Sequence, residues 1–412
     1  MSVIKPFKAL RPTAEYAAQV AALPYDVMNS AEAREKVKGN PYSFIHVDKA
    51  EVDLPEGTDI YSDAVYQKAA ENLSRLESSG VCRQDSSPLL YIYRQTMNGA
   101  AQTGIVGCAS VDDYINGVIK KHELTRADKE QDRIRHVDTC DANTGPIFLA
   151  YRKNDGISAV TARITAGAPV YDFLSEGGVR NQVWLITDAA DIAAVTKGFA
   201  DTESLYIADG HHRAASAVKM ALKRRAENPG FTGEEEFNFF LAVYFCANEL
   251  KILDYNRLIK DTNSLSDSGL FAALSKSFEI AEAPAAVRPQ KRHSFGMYYN
   301  EKWYALRLKD GLCNENDPLE SLDVSLLQKY AVSAVFGIAD PRTDSRIDFV
   351  GGIRGLTELE KRCHSDMRVA FSMYPTSLEE LMAIADAGLV MPPKSTWFEP
   401  KLLSGLFIHK LS

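Results

Sequence analysis

The sequence contains no Cys-x-x-Cys pair, and its six cysteines (Cys82, Cys108, Cys140, Cys246, Cys313 and Cys363) stand far apart. That spacing argues against a zinc ribbon or a dense disulfide framework and predicts reduced thiols. No run approaches the ~20 apolar residues of a membrane span, and the opening Met1-Ser2-Val3-Ile4-Lys5-Pro6-Phe7 lacks the apolar stretch of a secretory signal. A cytoplasmic location without a membrane partner is the expectation. Basic residues are also short: the formal charge is −8, which argues against nucleic acid as a partner, since backbone binding needs a dense cationic surface. No G-x-x-x-x-G-K-S/T string occurs, so a P-loop nucleotide site is excluded.

What is present is an ordinary globular composition, 45% hydrophobic and 25% charged over 412 residues, long enough for two or three packed subdomains. Apolar residues at Val65, Ala69, Leu73 and Leu76 predict a helix stopping near Gly80. Runs at 89–96 and 103–111 flank Asn98-Gly99 and predict an antiparallel pair. Strands are expected at 147–151, 183–187, 205–208, 237–246 and 251–258, and helices at 157–166, 189–199, 270–278 and 324–336. A hairpin is expected over 295–308. Ser377 with Glu380 three residues later is a capping-box signature for a helix ending before Gly388, and an apolar strand over 406–411 closes the chain.

One segment carries chemistry more plainly than the rest. A short apolar strand runs into Asp209-Gly210-His211-His212-Arg213, after which Ala214, Ala217, Val218, Ala221 and Leu222 recur at helical spacing. A helix start presents unpaired amides and partial positive charge, and a glycine at the turn lets an anion approach them. Arg213 would add a charged fork worth roughly 1.5–3 kcal/mol per hydrogen bond to phosphate, and His211 and His212 further donors. Two other readings stand beside this one: Asp209 as a helix cap with His and Arg in surface contacts, or a zinc site. Adjacent histidines on a helix diverge by about 100°, so zinc would need ligands from elsewhere.

Phosphoryl transfer to an alcohol needs alignment, neutralised charge and often a carboxylate that takes the hydroxyl proton. Glu123 is the candidate base, with Lys121, His122 and Thr125 beside it to orient it or bind anions; a solvated charged helix start is the alternative. Lys129 and Arg133, four apart, would favour one another only if both faced a phosphate, so Arg133 is a binding candidate against a plain solvated face. Between prolines near the end, Lys394, Ser395, Thr396 and Lys401 could contact phosphate while Trp397 and Phe398 exclude water, or the segment could be a docked clamp. Pro24-Tyr25-Asp26 is a turn signal in which Tyr25 and Asp26 could meet substrate or Mg²⁺.

The strings Leu23-Pro24-Tyr25-Asp26-Val27, Lys121-His122-Glu123-Leu124-Thr125, Tyr206-Ile207-Ala208-Asp209-Gly210-His211-His212-Arg213 and Met391-Pro392-Pro393-Lys394-Ser395-Thr396-Trp397-Phe398-Glu399-Pro400-Lys401 resemble a widespread family labelled as domain of unknown function 1015. The middle also resembles the ParB/sulfiredoxin-type fold of free-serine kinases, in which a His-Glu pair precedes an Asp-Gly-His-His-Arg turn. That resemblance implies Glu123 as base for a serine hydroxyl, with His122 beside it, and Asp209, Gly210, His211, His212 and Arg213 as the phosphate and Mg²⁺ region, Asp209 as both catalytic group and metal ligand. The stretch from Glu123 to Asp209 is longer here than in the compact kinases, so either an inserted element loops out or the glutamate is not equivalent.

The expectation is an α+β protein, a mixed α/β chain with a ParB/sulfiredoxin-like phosphate-binding core. It divides as an N-terminal α/β subdomain over 1–115, the core over 116–260, and a C-terminal α/β subdomain over 261–412 that returns the loop 391–401 to the site. The expected function is a kinase for free L-serine or a similar small alcohol, with Mg²⁺ and ATP, ADP or pyrophosphate as donor. A ParB-like module that binds or hydrolyses nucleotide is the second reading. A sulfiredoxin-like repair activity ranks last, because the phosphate turn has no cysteine.

Overall fold

The computed structural model describes residues 1–125 and 127–412, with Asp128 described by its backbone. The chain forms two compact units, Met1–Leu250 with Pro400–Ser412, and Lys251–Glu399. Helices and mixed sheets share the chain, and the fold class is α+β.

The first unit is built on a nine-stranded sheet made of β1 (Ile4–Lys5), β2 (Leu90–Met97), β3 (Ala100–Ser110), β4 (Ile119–Lys120), β5 (Ile147–Tyr151), β6 (Tyr171–Leu174), β7 (Arg180–Ile186), β8 (Leu205–Asp209) and β9 (Phe239–Cys246). Their order is β4-β8-β5-β9-β3-β2-β7-β6, with β1 paired to β3. β2 and β3 form the expected hairpin. Met97 pairs with Ala100, and Asn98 and Gly99 carry φ of 51° and 78°, the two positive values a two-residue turn requires. β9 is a continuous apolar run because it lies inside the sheet, parallel to β5 on one side and antiparallel to β3 on the other.

Five longer helices belong to this unit: α1 (Asp63–Ser78), α2 (Ala127–Cys140), α3 (Asp155–Thr165), α4 (Ala189–Ala200) and α5 (His211–Glu227). α3 and α4 lay Ile157, Val160, Val195 and Phe199 on the sheet core. α5 contributes Ala214, Ala217, Val218 and Ala221 to the same cluster, which explains its apolar spacing. α2 packs on α5 through Val137 and Met220, and the Ser216 hydroxyl donates to the Glu130 carbonyl at 3.1 Å.

Segments 1–115 and 116–260 both supply strands to this one sheet, and the closing residues pair within the same unit outside it. The closing strand is shorter than its apolar pattern suggested: His409–Lys410 pairs with Ala142–Asn143, and Ile408 bridges to Leu10.

The second unit carries a six-stranded antiparallel sheet, β10 (Tyr255–Ile259), β11 (Phe278–Ala283), β12 (Ser294–Tyr299), β13 (Lys302–Leu308), β14 (Ile347–Gly351) and β15 (Val369–Ser372), in the order β11-β13-β12-β15-β10-β14. Besides the short helices Asp267–Leu274 and Asp323–Leu327, α6 (Leu356–Ser365) and α7 (Leu378–Asp386) accompany it, and α7 starts with the capping box read from Ser377 and Glu380.

Two expectations differ here. The strand expected over 251–258 is broken at buried Asp254, whose carboxylate accepts from Arg288 and Asn256 and whose carbonyl accepts from the Gly352 amide. The helix expected over 324–336 is α-helical only over Asp323–Leu327 and widens to a π-helical turn over Gln328–Ser333, where the Gln328 side chain reaches the Ser333 hydroxyl and the Ile338 carbonyl. Among the described residues no helix is long and apolar enough to cross a membrane.

Candidate functional site

The site grows from one pairing. β4 lies parallel to β8, with Ile119 opposite Leu205 and Lys120 opposite Tyr206, so both strands end on the same side of the sheet. Residues that follow β4 therefore emerge beside those that follow β8. His122 and Glu123 meet the Asp209–Arg213 turn although β5, β6, β7, α2, α3 and α4 intervene in sequence. Glu123 is brought to the turn: its Oε2 lies 3.9 Å from His211 Nδ1.

Gly210 makes the turn. It sits at φ 91°, a left-handed value that favours glycine, and a Cβ there would lie 3.1–3.2 Å from the Arg213 guanidinium. Gly210, not Asp209, is the N-cap residue of α5, and as a glycine it makes no side-chain cap hydrogen bond of its own. The reading of Asp209 as a cap is therefore set aside.

Asp209 instead joins two cations. Its Oδ1 accepts from Lys401 Nζ at 3.0 Å and its Oδ2 from Arg213 Nη2 at 2.9 Å. Burial pushes this carboxyl up, but Lys401 and Arg213 outweigh it and hold it down to about 2. With both oxygens facing cations, Asp209 is poorly suited to hold a divalent metal; it fits an anchor for Lys401. The Arg213 fork is likewise spent inside the protein, since Nη1 donates to the Pro146 carbonyl and Nη2 to Asp209. Its charge lies under the turn, while the paired donors expected to embrace phosphate do not point outward as a free fork.

Lys401 owes its place to residues that sequence reading passed over. Gln95 and Gln102 sit opposite each other on the β2–β3 hairpin and are almost wholly buried. The Gln95 amide donates to the Lys401 carbonyl at 2.9 Å, and the Gln102 amide to the Pro400 carbonyl at 3.2 Å. Two glutamines on the inward face of an apolar hairpin were the available signal, because buried amides need partners.

His122 and His211 form the interior of the site. Their rings meet edge to face at 4.5 Å, and only 2% and 6% of the two residues is exposed. Both ring nitrogens of His122 and Nε2 of His211 are buried without a hydrogen bond of good geometry. Burial lowers the His122 pKa to about 4 against the opposing pulls of Asp209 and the Ile207 backbone, and burial together with His122 holds His211 well below its ordinary value. Both rings are neutral at pH 7. His212 is half-buried, and its carbonyl accepts from the Ser216 hydroxyl.

Below the turn lies a small cavity of about 30 Å³, room for one water, lined among others by Tyr25, Asp48, Arg133, Thr144, Arg213 and Ser404. Arg133 is buried, not on a solvated face: its guanidinium stacks on the Tyr25 ring at 4.0 Å and pairs with Asp132 at 2.9 Å. Burial works against its charge, yet Asp132 and Tyr25 outweigh it and raise its pKa. Lys129 faces elsewhere, toward the Tyr61 hydroxyl, so the two cations do not share an anion. Burial pushes the Tyr25 phenol up to about 12. Asp26, next to it, is exposed. Thr125 donates its hydroxyl to Glu130, which also holds Lys219.

The remaining expected contacts lie in the second unit. There the Lys394 ammonium is 5.8 Å from the Tyr255 ring centre, the buried Ser395 hydroxyl donates to the Pro392 carbonyl, and Thr396 is half-buried next to it.

The family model described as Protein of unknown function (DUF1015) matches residues 4–325. No curated protein matches the sequence. Among solved structures the chain is similar to a free serine kinase in complex with AMP, at 15% identity and a TM-score of 0.34 over 72% of this chain and 86% of that one. It is similar to SbnI with a C-terminal truncation from Staphylococcus aureus, at 12% identity and a TM-score of 0.38 over 73% and 85%. A conserved hypothetical protein from Pyrococcus furiosus matches at 16% identity and a TM-score of 0.35 over 74% and 94%.

Proposed function

We propose that this chain, which belongs to that family, is a small-molecule phosphotransferase that moves a phosphoryl group from a nucleotide or pyrophosphate to the hydroxyl of free L-serine or a similar small alcohol. One observation carries the reading: a helix start on a left-handed glycine, with a carboxylate, Glu123, delivered to the same turn by a separate strand.

The amides of the first turn of α5 hold the transferred phosphoryl group, with Lys401 and Arg213 supplying positive potential nearby. Glu123, half-exposed, takes the proton as the acceptor oxygen attacks phosphorus; the bond from phosphorus to the donor's bridging oxygen breaks, and the shortened donor leaves. Mg²⁺ neutralises charge on the donor phosphates when it is bound to them. Asp209 does not offer it a free carboxylate, and no step is assigned to a protein-held Mg²⁺.

The test is to incubate the full chain with Mg²⁺ and serine, adding ATP, ADP or pyrophosphate separately, and to follow phosphoserine by mass spectrometry. Phosphoserine with at least one donor is the expected result. Hydrolysis of nucleotide without any phosphoserine would replace the kinase reading with a nucleotide-hydrolysing module.

A further inference from the structure

We infer that His122, Glu123 and His211 form a binding site for one divalent transition-metal ion. Each of the three offers one ligand atom, and these atoms all lie within 4.8 Å of one another. Three atoms so placed fit inside a circle of radius about 2.8 Å, whereas zinc bonds to imidazole nitrogen and carboxylate oxygen run about 2.0–2.2 Å. Closing the site takes a movement of at most about 0.6–0.8 Å per ligand. Glu123 is half-exposed, and a small rotation of its side chain can supply part of that movement.

The independent observation is the state of the histidine rings. Three ring nitrogens on two side chains that are more than nine-tenths buried have no hydrogen bond of good geometry. Unpaired polar atoms in a protein interior are destabilising, and a neutral imidazole has one lone-pair nitrogen, so an ion between the two rings would give a partner to one nitrogen of each. A metal ion satisfies lone pairs that no neighbouring donor reaches. Adjacent histidines on α5 diverge too far to chelate together, as the sequence indicated. The second histidine and the carboxylate come instead from the segment after β4, which the parallel pairing with β8 sets against the start of α5.

Two imidazoles and one carboxylate select for Zn²⁺, Co²⁺, Mn²⁺ or Fe²⁺ and against Mg²⁺, which prefers an all-oxygen shell. Three protein ligands leave open positions for water or a substrate oxygen, the arrangement of a reactive rather than a purely structural centre. A carboxylate bonded through one oxygen keeps its second, so the site is compatible with Glu123 as base and does not depend on that role.

The experiment uses the full chain after treatment with a chelator. Co²⁺ is titrated in while visible absorption is recorded, and bound Zn²⁺ is counted by elemental analysis after dialysis, each in excess Mg²⁺. The expected result is one ion per chain that Mg²⁺ does not displace. His122→Ala and His211→Ala should each weaken binding by more than about tenfold, since even outer contacts to a metal are worth about 10- to 100-fold. If either histidine variant fails to fold by circular dichroism, Glu123→Gln decides, and it should weaken binding and shift the Co²⁺ spectrum. Failure of wild-type protein to retain one equivalent, or retention unchanged in every folded variant, would overturn the inference. Neither readout measures phosphoryl transfer, so the metal site and the kinase reading can fail separately.

Discussion

Replacing Asp209 with asparagine tests the clamp that holds Lys401 to the helix turn. The carboxyl is depressed from an ordinary 3.8 to about 2. Each tenfold change in proton affinity is worth about 1.4 kcal/mol, so the ionised form contributes roughly 2 kcal/mol to the stability of the first unit. The sign follows from the depression: the contribution is complete above about pH 5 and is lost as pH falls through 2. Because the chain has two units, the readout should be local, and native-state hydrogen exchange of α5 amides in urea, repeated from pH 7 to pH 2, provides it. At pH 7 the Asp209→Asn variant should be less stable than wild type by roughly 2–3 kcal/mol. Asparagine mimics the protonated acid, so the two curves should converge near pH 2. A gap below about 0.5 kcal/mol at pH 7, or one that stays constant down to pH 2, would refute the reasoning.

Glu123→Gln should lower phosphoryl transfer by about 10²- to 10⁴-fold while the donor affinity measured by calorimetry changes little, and wild-type turnover would remove Glu123 as the base. Gly210→Ala places a Cβ against Arg213 at a backbone angle of φ 91°, and thermal unfolding should show a loss of about 1–3 kcal/mol; an unchanged melting temperature would count against the strained turn. Arg133→Leu leaves Asp132 buried with the Tyr66 hydroxyl but without its cation, and should cost about 3–5 kcal/mol in chemical denaturation, whereas a surface role would cost almost nothing. Ser377→Ala removes the α7 cap and should cost about 1 kcal/mol in the second unit without altering any signal from α5.

The sequence disclosed the site in proportion to how local its geometry is. Gly210, the strand before it and the apolar face after it were all readable because a turn and an amphipathic helix are properties of neighbours. Asn98-Gly99 and Ser377 with Glu380 were readable for the same reason. The partners of Asp209 and Arg213 were not: a guanidinium next to a glycine turn looks the same whether it embraces phosphate or a carbonyl at Pro146, and only the fold decides. Arg133 misled in the opposite direction. Its charged neighbours suggested a wet face, while the ring of Tyr25, more than a hundred residues earlier, covers it. The surroundings of His211 show the limit most clearly, since His122 and Glu123 come from a segment whose adjacency depends on one two-residue strand.

The ion pair between Asp209 and Lys401 spans 192 residues, and the entire second unit is synthesised between its two halves. On the ribosome, the glycine turn and its helix emerge before the lysine that pairs with the carboxylate. Until then Arg213 alone faces the carboxylate, and the hairpin glutamines have no backbone to grip. A nascent chain stopped before Pro400 would carry every residue from His122 to Arg213 yet leave Asp209 without Lys401.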